Sequence, residues 1–125
     1  YIGHSDGIKL DLNPLENLEN YLALNVLNPY LDVETALDRV GLHEFRHQPC
    51  HTLSAGQCRR AAIARLFLGR TPLWILDEPM TGIDDSGAKA VEDILEEHLR
   101  DNGMIILTSH RPICKNIHWN RPIKI

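Results

Sequence analysis

The sequence predicts an α/β fold with a parallel sheet, because two short apolar runs flank one amphipathic helix. The runs at 73–76 and 104–107 have the length of strands, and the first is apolar throughout, as expected for a parallel strand covered on both faces. A helix is predicted from about Asp85, and its inward residues are predicted to be Ala88, Val91, Leu95 and Leu99. Strand, helix and strand then form a βαβ unit. Residues 1–2 are interpreted as the end of a further strand.

A helical region is predicted ahead of this unit, at residues 13–50. Asn13 is placed to cap its first helix, with Pro14 at the first helical position and Glu16 three residues after the cap. An apolar stripe at helical spacing supports this helix, formed by Leu15, Leu18, Leu22 and Val26. A second helix is predicted over residues 32–41, because an Asp precedes it and a Gly ends it.

A third helix is predicted to begin at Ser54, with Gln57 in the capping-box position, and to continue to Leu68. Its basic side chains are Arg59, Arg60, Arg65 and Arg70. These arginines are placed to act on phosphates or on acidic groups nearby. A solvated helix face explains Arg65 and Arg70 equally well.

Polar side chains follow both strands of the βαβ unit. Asp77 and Glu78 end the first strand, and His110 comes shortly after the second. The carboxyl ends of parallel strands meet at one edge of the sheet, where open α/β sheets bind ligands. We therefore expect Asp77 to hold Mg²⁺ and Glu78 to orient or deprotonate an attacking water. His110 is expected to stabilise a γ-phosphate.

The start of the third helix is a candidate anion site. Ser54 and the backbone N–H groups of Ala55 and Gly56 present hydrogen-bond donors at the positive end of a helix dipole. An ordinary capped helix is the alternative, since Ser54 and Gln57 are by themselves sufficient for a capping box.

Composition disfavours several kinds of partner. The formal net charge of -4 gives no overall attraction to nucleic acid or to an anionic membrane. No apolar run approaches the ~20 residues that span a bilayer. The three cysteines lack C-x-x-C spacing, which favours reduced thiols in the cytosol.

One group of residues resembles a metal site, namely His43, His47, Cys50 and His51. Pro49 interrupts the helix on which His47 and His51 would share a face. No second close ligand pair completes a tetrahedral set. Histidines in loops are therefore the preferred interpretation.

Four motifs make the sequence resemble the ABC ATPase family over essentially its whole length. Residues 53–57 read Leu-Ser-Ala-Gly-Gln and match the signature motif, and residues 73–78 read Leu-Trp-Ile-Leu-Asp-Glu and match the Walker B strand. Residues 81–84 match the D-loop, and His110 matches the switch histidine. The resemblance implies the C-terminal part of an ABC-type P-loop NTPase domain, with a parallel-sheet core and a helical subdomain.

The same resemblance implies three segments. Residues 1–12 form a Q-loop-like segment, residues 13–50 the helical subdomain, and residues 51–125 the signature helix, Walker B strand, D-loop, switch-histidine strand and a short tail. His4 stands where most members have a Gln that senses Mg²⁺, and imidazole is a poorer partner for magnesium. Ala55 replaces a Gly, which a first-turn position tolerates because it needs no positive φ.

Further matches lie in residues 53–68 and 73–84, in the opening residues 1–4, 7–9 and 15–18, and in residues 109–112 ahead of a short tail. On these residues the sequence looks, within the family, most like the haem-exporter ATPase of the cytochrome c maturation system. That resemblance implies ATP and Mg²⁺ as cofactors and a head-to-tail dimer in which the signature motif of one subunit completes the ATP site of the other. The implied cofactor-binding residues are Ser54, Ala55, Gly56, Gln57, Asp84 and His4. The second implied partner is an integral membrane permease subunit, with no nucleic acid, and the implied location is peripheral, at the cytoplasmic face of the inner membrane.

The 125 residues contain no G-x-x-x-x-G-K-[ST] phosphate loop. We interpret Tyr1 as a truncation point and expect these residues alone to show no ATP turnover. Two alternatives stay open: the ATPase of a different exporter, and a truncated interaction module that does not hydrolyse ATP. A DNA-repair or chromosome ATPase is disfavoured, because the spacer from His4 to Leu53 carries no sustained heptad repeat.

Overall fold

Helices and parallel strands follow one another along the chain. The computed structural model describes residues 1–3, 5–25, 29–110 and 113. The helices are α1 (Pro14–Asn25), α2 (Val33–Arg39), α3 (Ala55–Ala64) and α4 (Asp85–Arg100), and the strands are β1 (Leu73–Asp77) and β2 (Met104–Thr108). Single 3₁₀ turns lie at His43–Phe45, Cys50–Thr52 and Arg65–Phe67. In the part of the chain that is described, no helix has the length and apolarity needed to cross a bilayer.

The first two helices begin where the sequence predicts. The Glu16 N–H donates to Asn13 Oδ1 at 2.8 Å, and the Asn13 N–H donates to Glu16 Oε2 at 2.9 Å, so the predicted capping box is confirmed. Asp32 caps α2 by accepting from the Thr35 N–H at 2.9 Å. The hydrogen bonds from Thr35 lower the pKa of Asp32. Chain direction changes after α2 at Gly41, whose φ of 70° suits glycine.

The sheet is parallel, as predicted. β1 pairs with β2 in a register that sets Leu73 opposite Met104 and Asp77 opposite Thr108. Ile2 forms a parallel bridge to β1 at its other edge and accepts a hydrogen bond from the Asp77 N–H at 2.8 Å. The predicted strand end at residues 1–2 is therefore confirmed.

One face of the sheet is buried against helices. Trp74 and Leu76 of β1 are 5% and 2% exposed, and the Trp74 ring stacks on His98 of α4 with a centroid distance of 3.7 Å. The largest buried side chains of the core include Leu18, Leu37, Leu42, Ile63, Leu68, Ile94 and Leu95. They come from all four helices and the loops beside them, so the helical region and the βαβ unit share one core.

The other face of the sheet is open. Its residues are Leu73, Ile75, Met104 and Ile106, which are 39% to 58% exposed. The apolar pattern of β1 is typical of a strand covered on both faces, but in the described residues the helices occupy only one face, and alternate strand residues point to opposite faces.

Two helix predictions need correction. α3 ends at Ala64, where a 3₁₀ turn replaces the predicted continuation to Leu68, and Arg70 lies beyond both. On α4, Gly87 and Ile94 are buried, whereas Ala88 and Leu99 are half-buried. Neighbouring side chains pack closely against Gly87. A Cβ at this position would lie 2.7 Å from Ile83 Cγ2, so the packing requires glycine.

Candidate functional site

The acidic pair, Asp77 and Glu78, lies at the carboxyl end of β1 beside the end of β2. Thr108 connects the two strand ends: its hydroxyl donates to Asp77 Oδ1 at 2.5 Å and accepts from the Glu78 N–H at 3.1 Å. The pairing of β1 with β2 fixes this contact, since Asp77 and Thr108 are partners in the register. The predicted convergence of polar groups at this edge is confirmed.

Glu78 has a strained backbone. Its φ of 50° is left-handed, which is uncommon for a residue other than glycine and costs on the order of 1–3 kcal/mol. The neighbouring structure holds this conformation: the Glu78 N–H donates to the Thr108 carbonyl at 3.2 Å, and the Glu78 carbonyl accepts from the Thr81 N–H at 3.1 Å. Non-glycine strain of this kind occurs at functional sites, where the orientation of one side chain matters.

His110 comes next to the Glu78 carboxylate. Its Nε2 lies 3.5 Å from Glu78 Oε1, and Thr81 Oγ1 donates to Glu78 Oε2 at 3.4 Å. The Glu78 side chain is 18% exposed, whereas that of His110 is 96% exposed. Glu78 is therefore held in place by its neighbours, and His110 is accessible to a ligand above it.

An open cleft of about 450 Å³ lies in front of these side chains. Its lining includes Glu78, Met80, Asp84, Ser109 and His110. A second cavity, of about 470 Å³, opens at the opposite end of the sheet beside the Trp74 and His98 stack. Parallel sheets bind ligands at their carboxyl edge, so the cleft at Glu78 is the candidate site.

The D-loop, residues 81–84, leads from the acidic pair into α4. Gly82 has a φ of 76°, which the turn requires. Asp84 is the N-cap of α4, and its Oδ1 accepts from the Gly87 N–H at 2.9 Å and from the Ser86 hydroxyl at 3.3 Å. The carboxylate of Asp84 thus fixes the exit of the D-loop.

The signature segment, residues 53–57, begins α3 with a complete capping box. The Gln57 N–H donates to Ser54 Oγ at 3.1 Å, and the Ser54 N–H donates to Gln57 Oε1 at 2.8 Å. Ser54 and Ala55 are exposed, so the helix start is open to solvent. The capping interpretation and the anion interpretation are compatible, because the capping box uses the N–H groups of Ser54 and Gln57 and leaves those of Ala55 and Gly56 for an anion.

Gly56 brings the signature segment against the D-loop. A Cβ at Gly56 would lie 2.4 Å from the carbonyl oxygen of Gly82 and 3.2 Å from Ile83 Cα. Only glycine permits this approach of two backbones. The two segments therefore lie side by side, a contact that the sequence motifs alone do not indicate.

The four arginines do not form a common phosphate-binding face. Arg59 is buried and binds the backbone at the end of β1, and Arg60 donates to the Val40 carbonyl at 3.0 Å. Arg65 donates to the Gly7 carbonyl at 2.7 Å and stacks on a tyrosine ring. Arg70 stacks on Tyr30. The prediction of an acidic partner is confirmed for Arg59, which pairs with Asp6 at 2.6 Å. Arg70 is exposed, as the solvated interpretation predicts, whereas Arg65 is half-buried.

Two groups of predicted residues do not contribute to the site as described: those outside the described residues and those of the possible metal site. His4, Val26 and Cys114 lie outside the described residues, as does the predicted tail apart from Ile113. In the described part of the chain, no three His, Cys, Asp or Glu side chains are close enough together to hold a metal ion. Burial raises the pKa of Cys50 to about 11, which keeps this thiol protonated and unsuited to ligation. His43 instead contacts Asp38, with Nδ1 and Oδ1 2.5 Å apart.

The residues at the end of β1 fit a magnesium nucleotide. Magnesium is held in proteins by one or two carboxylates together with phosphate oxygens. Asp77 supplies a carboxylate whose orientation Thr108 fixes, and the cleft beside Glu78 is open to solvent. Magnesium needs few protein ligands because waters and phosphate oxygens complete its shell, so the Asp77 carboxylate is a sufficient donor at this edge.

Comparison with known proteins places the chain in a family. The ABC transporter family model matches residues 3–81. The cytochrome c biogenesis ATP-binding export protein CcmA of Saccharophagus degradans is 43% identical over 122 residues, covering 90% of this chain and 55% of that protein. CcmA of Pseudomonas syringae pv. syringae is 49% identical over 115 residues, covering 90% of this chain and 54% of that protein. The chain thus spans about half the length of the curated relatives it matches.

A solved structure agrees in fold. A dimeric post-hydrolysis state of the ATP-binding cassette MJ0796, bound to ADP and Pi, superposes with a TM-score of 0.76 at 21% identity. The match covers 88% of this chain and 51% of that one. With the family model matched over most of the chain, and with an acidic pair, a D-loop and a signature segment at one sheet edge, the chain belongs to the ABC transporter family.

Proposed function

We propose that this chain is part of the ATP-hydrolysing subunit of an ABC transporter for haem export and cytochrome c biogenesis. The observation that carries the proposal is the convergence of Asp77, Glu78 and His110 at one sheet edge, with Thr108 joining the strand ends. The CcmA names of the relatives support the biological setting. The ATPase of another exporter would use the same residues and differ in its membrane partner.

The cis half-site consists of the acidic pair and His110. Asp77 is proposed to hold Mg²⁺, which when bound neutralises phosphate charge. Glu78 accepts a proton from the attacking water, because its carboxylate faces the cleft and its backbone is fixed. His110 donates a hydrogen bond to the γ-phosphate from its exposed position 3.5 Å from Glu78.

The trans half-site consists of the signature segment and the D-loop. Ser54, the N–H groups of Ala55 and Gly56, and Gln57 are proposed to bind the nucleotide held by a second subunit in a head-to-tail dimer. Asp84 is proposed to support nucleotide binding by fixing the D-loop against α4. We also propose that His4 contacts the attacking water in place of the usual Gln.

The second proposed partner is an integral membrane permease subunit. Residues 13–50 are proposed as the helical subdomain that contacts it, with the ATPase bound peripherally at the cytoplasmic face of the inner membrane. Co-purification of the full-length protein with a haem-handling membrane subunit is the expected result. Co-purification with an unrelated exporter would instead support the alternative.

Magnesium dependence tests the catalytic proposal. In the full-length protein, ATP hydrolysis is expected to require Mg²⁺, and Asp77→Asn is expected to raise the Mg²⁺ concentration for half-maximal rate at least about tenfold, because a carboxylate ligand is lost. Asp93→Asn is the matched control, since Asp93 lies on α4 and pairs with exposed Lys89 at 3.4 Å. Wild-type protein without ATPase activity, or Asp77→Asn with unchanged Mg²⁺ dependence, would contradict the proposal.

A further inference from the structure

Arg59 is a buried cation that the proposed chemistry does not use. It is 4% exposed, and its guanidinium binds groups from two separate segments, residues 3–6 and the end of β1. Its Nη1 donates to the Gly3 carbonyl at 2.7 Å and to Asp6 Oδ1 at 2.6 Å, while its Nη2 donates to the carbonyls of Asp77 and, at 3.2 Å, Glu78. A charge is rarely buried without a partner, so this arrangement is specific.

Two of the hydrogen bonds of Arg59 lie at the strained backbone of Glu78. The Asp77 and Glu78 carbonyls lie at the point where β1 ends and Glu78 enters the left-handed region with φ 50°. The planar guanidinium presents donors in a fixed fork, which binds three carbonyls and a carboxylate better than a single ammonium would. Arg59 therefore restrains the backbone that aims the Glu78 side chain.

Arg59 also belongs to the helix that begins with the signature segment. It lies within α3, whose capping box fixes its first turn at Ser54. A shift of this helix would move the guanidinium relative to the acidic pair. Gly56 adds a second contact between the same helix and the D-loop.

We propose that Arg59 is a positioning residue that holds the backbone of Asp77 and Glu78 in the orientation needed for hydrolysis. Arg59 thereby links the trans half-site, which includes the signature segment, with the cis half-site, which includes the acidic pair. This inference rests on the proposed function, because it assigns Arg59 a role through Glu78.

Arg65 provides a matched control. It follows α3 and also donates to a carbonyl of the N-terminal segment, that of Gly7, at 2.7 Å. Within the described residues, the Arg65 guanidinium contacts the Gly7 carbonyl and the Tyr21 ring rather than Asp77 or Glu78. If these arginines only attached the N-terminal segment to α3, replacing either one would have the same effect on hydrolysis. If Arg59 positions the acidic pair, only its replacement lowers kcat.

The test uses the full-length protein and two readouts. Arg59→Met is expected to lower kcat about 10- to 100-fold per folded site, with the KM for ATP within about threefold of wild type. Arg59→Lys is expected to give an intermediate kcat, since it keeps the charge and loses the fork. Without nucleotide, hydrogen exchange at residues 78–82 is expected to be several-fold faster in Arg59→Met and unchanged in Arg65→Met.

The outcomes separate this inference from the proposed function. Wild-type protein that does not hydrolyse ATP would refute the proposed function. Active wild-type protein in which Arg59→Met keeps its kcat, or in which Arg59→Met and Arg65→Met change kcat and exchange equally, would overturn only the role of Arg59. If Arg59→Met does not fold, Arg59→Lys decides: a kcat at least about threefold lower supports the role, and an unchanged kcat overturns it.

Discussion

Replacing Glu78 with Gln is expected to lower the ATP turnover of the full-length protein about 10²- to 10⁴-fold, the usual contribution of a general base. The amide has nearly the same shape as the carboxylate and accepts no proton at neutral pH. The backbone contacts of Glu78 with Thr108 and Thr81 do not involve the side chain that changes, so the strained conformation is retained. ATP affinity is therefore expected to stay close to that of wild type.

Phosphate release under saturating ATP measures the turnover, and equilibrium binding of ATP measures the affinity. Glu19→Gln is the control, because Glu19 is an exposed residue of α1, away from the cleft. A Glu78→Gln protein with at least about a third of wild-type kcat would rule out the general-base assignment.

Gly56→Ala is expected to reduce the free energy of unfolding by about 1–3 kcal/mol, the range for overpacked sites. The added Cβ would lie 2.4 Å from the Gly82 carbonyl oxygen and 3.2 Å from the Gly82 carbonyl carbon. Both are backbone atoms, so no side-chain rotation relieves the contact. The D-loop must move away from the signature segment, and ATP turnover is expected to fall as well.

Urea unfolding of the full-length variant measures the change in stability. Ala55→Ser is the control, because Ala55 is exposed and neighbours Gly56. Exposed substitutions of this kind change stability by less than about 0.5 kcal/mol. Equal stability of Gly56→Ala and Ala55→Ser would show that the two backbones are not in contact.

Local signals in the sequence were sufficient for the elements of the fold. The caps at Asn13, Asp32 and Ser54 are hydrogen bonds between residues three apart, so they depend on neighbours in the chain and were predictable. The pairing of the two strands was predictable for a similar reason, since a helix joins two apolar runs of equal length. The end of α3 at Ala64 could not be predicted, because no Gly or Pro stands there to end the helix.

The interactions within the site depend on tertiary packing. Thr108 was not identified as a site residue, although its hydroxyl orders both members of the acidic pair. Its position as the strand residue just before Ser109 and His110 was the available signal. The burial of Arg59 and the left-handed backbone of Glu78 arise from contacts between distant segments, which no local pattern encodes.

The open face of the sheet illustrates the same limit. Leu73 and Ile106 are as apolar as the buried residues of the same strands, so the sequence indicates two covered faces. Coverage depends on what else packs there, and the chain spans about half the length of its curated relatives.

Mixing two inactive variants tests most directly the central claim that this chain contributes to two different ATP sites. In a symmetric pair, Glu78→Gln disables the cis half-site and Ser54→Arg disables the trans half-site. Each variant alone is expected to be inactive. An equal mixture of the full-length proteins is expected to recover about a quarter of wild-type turnover, because half of random pairs are mixed and each keeps one intact site. Turnover of the mixture that is no higher than the mean of the separate variants would contradict the account.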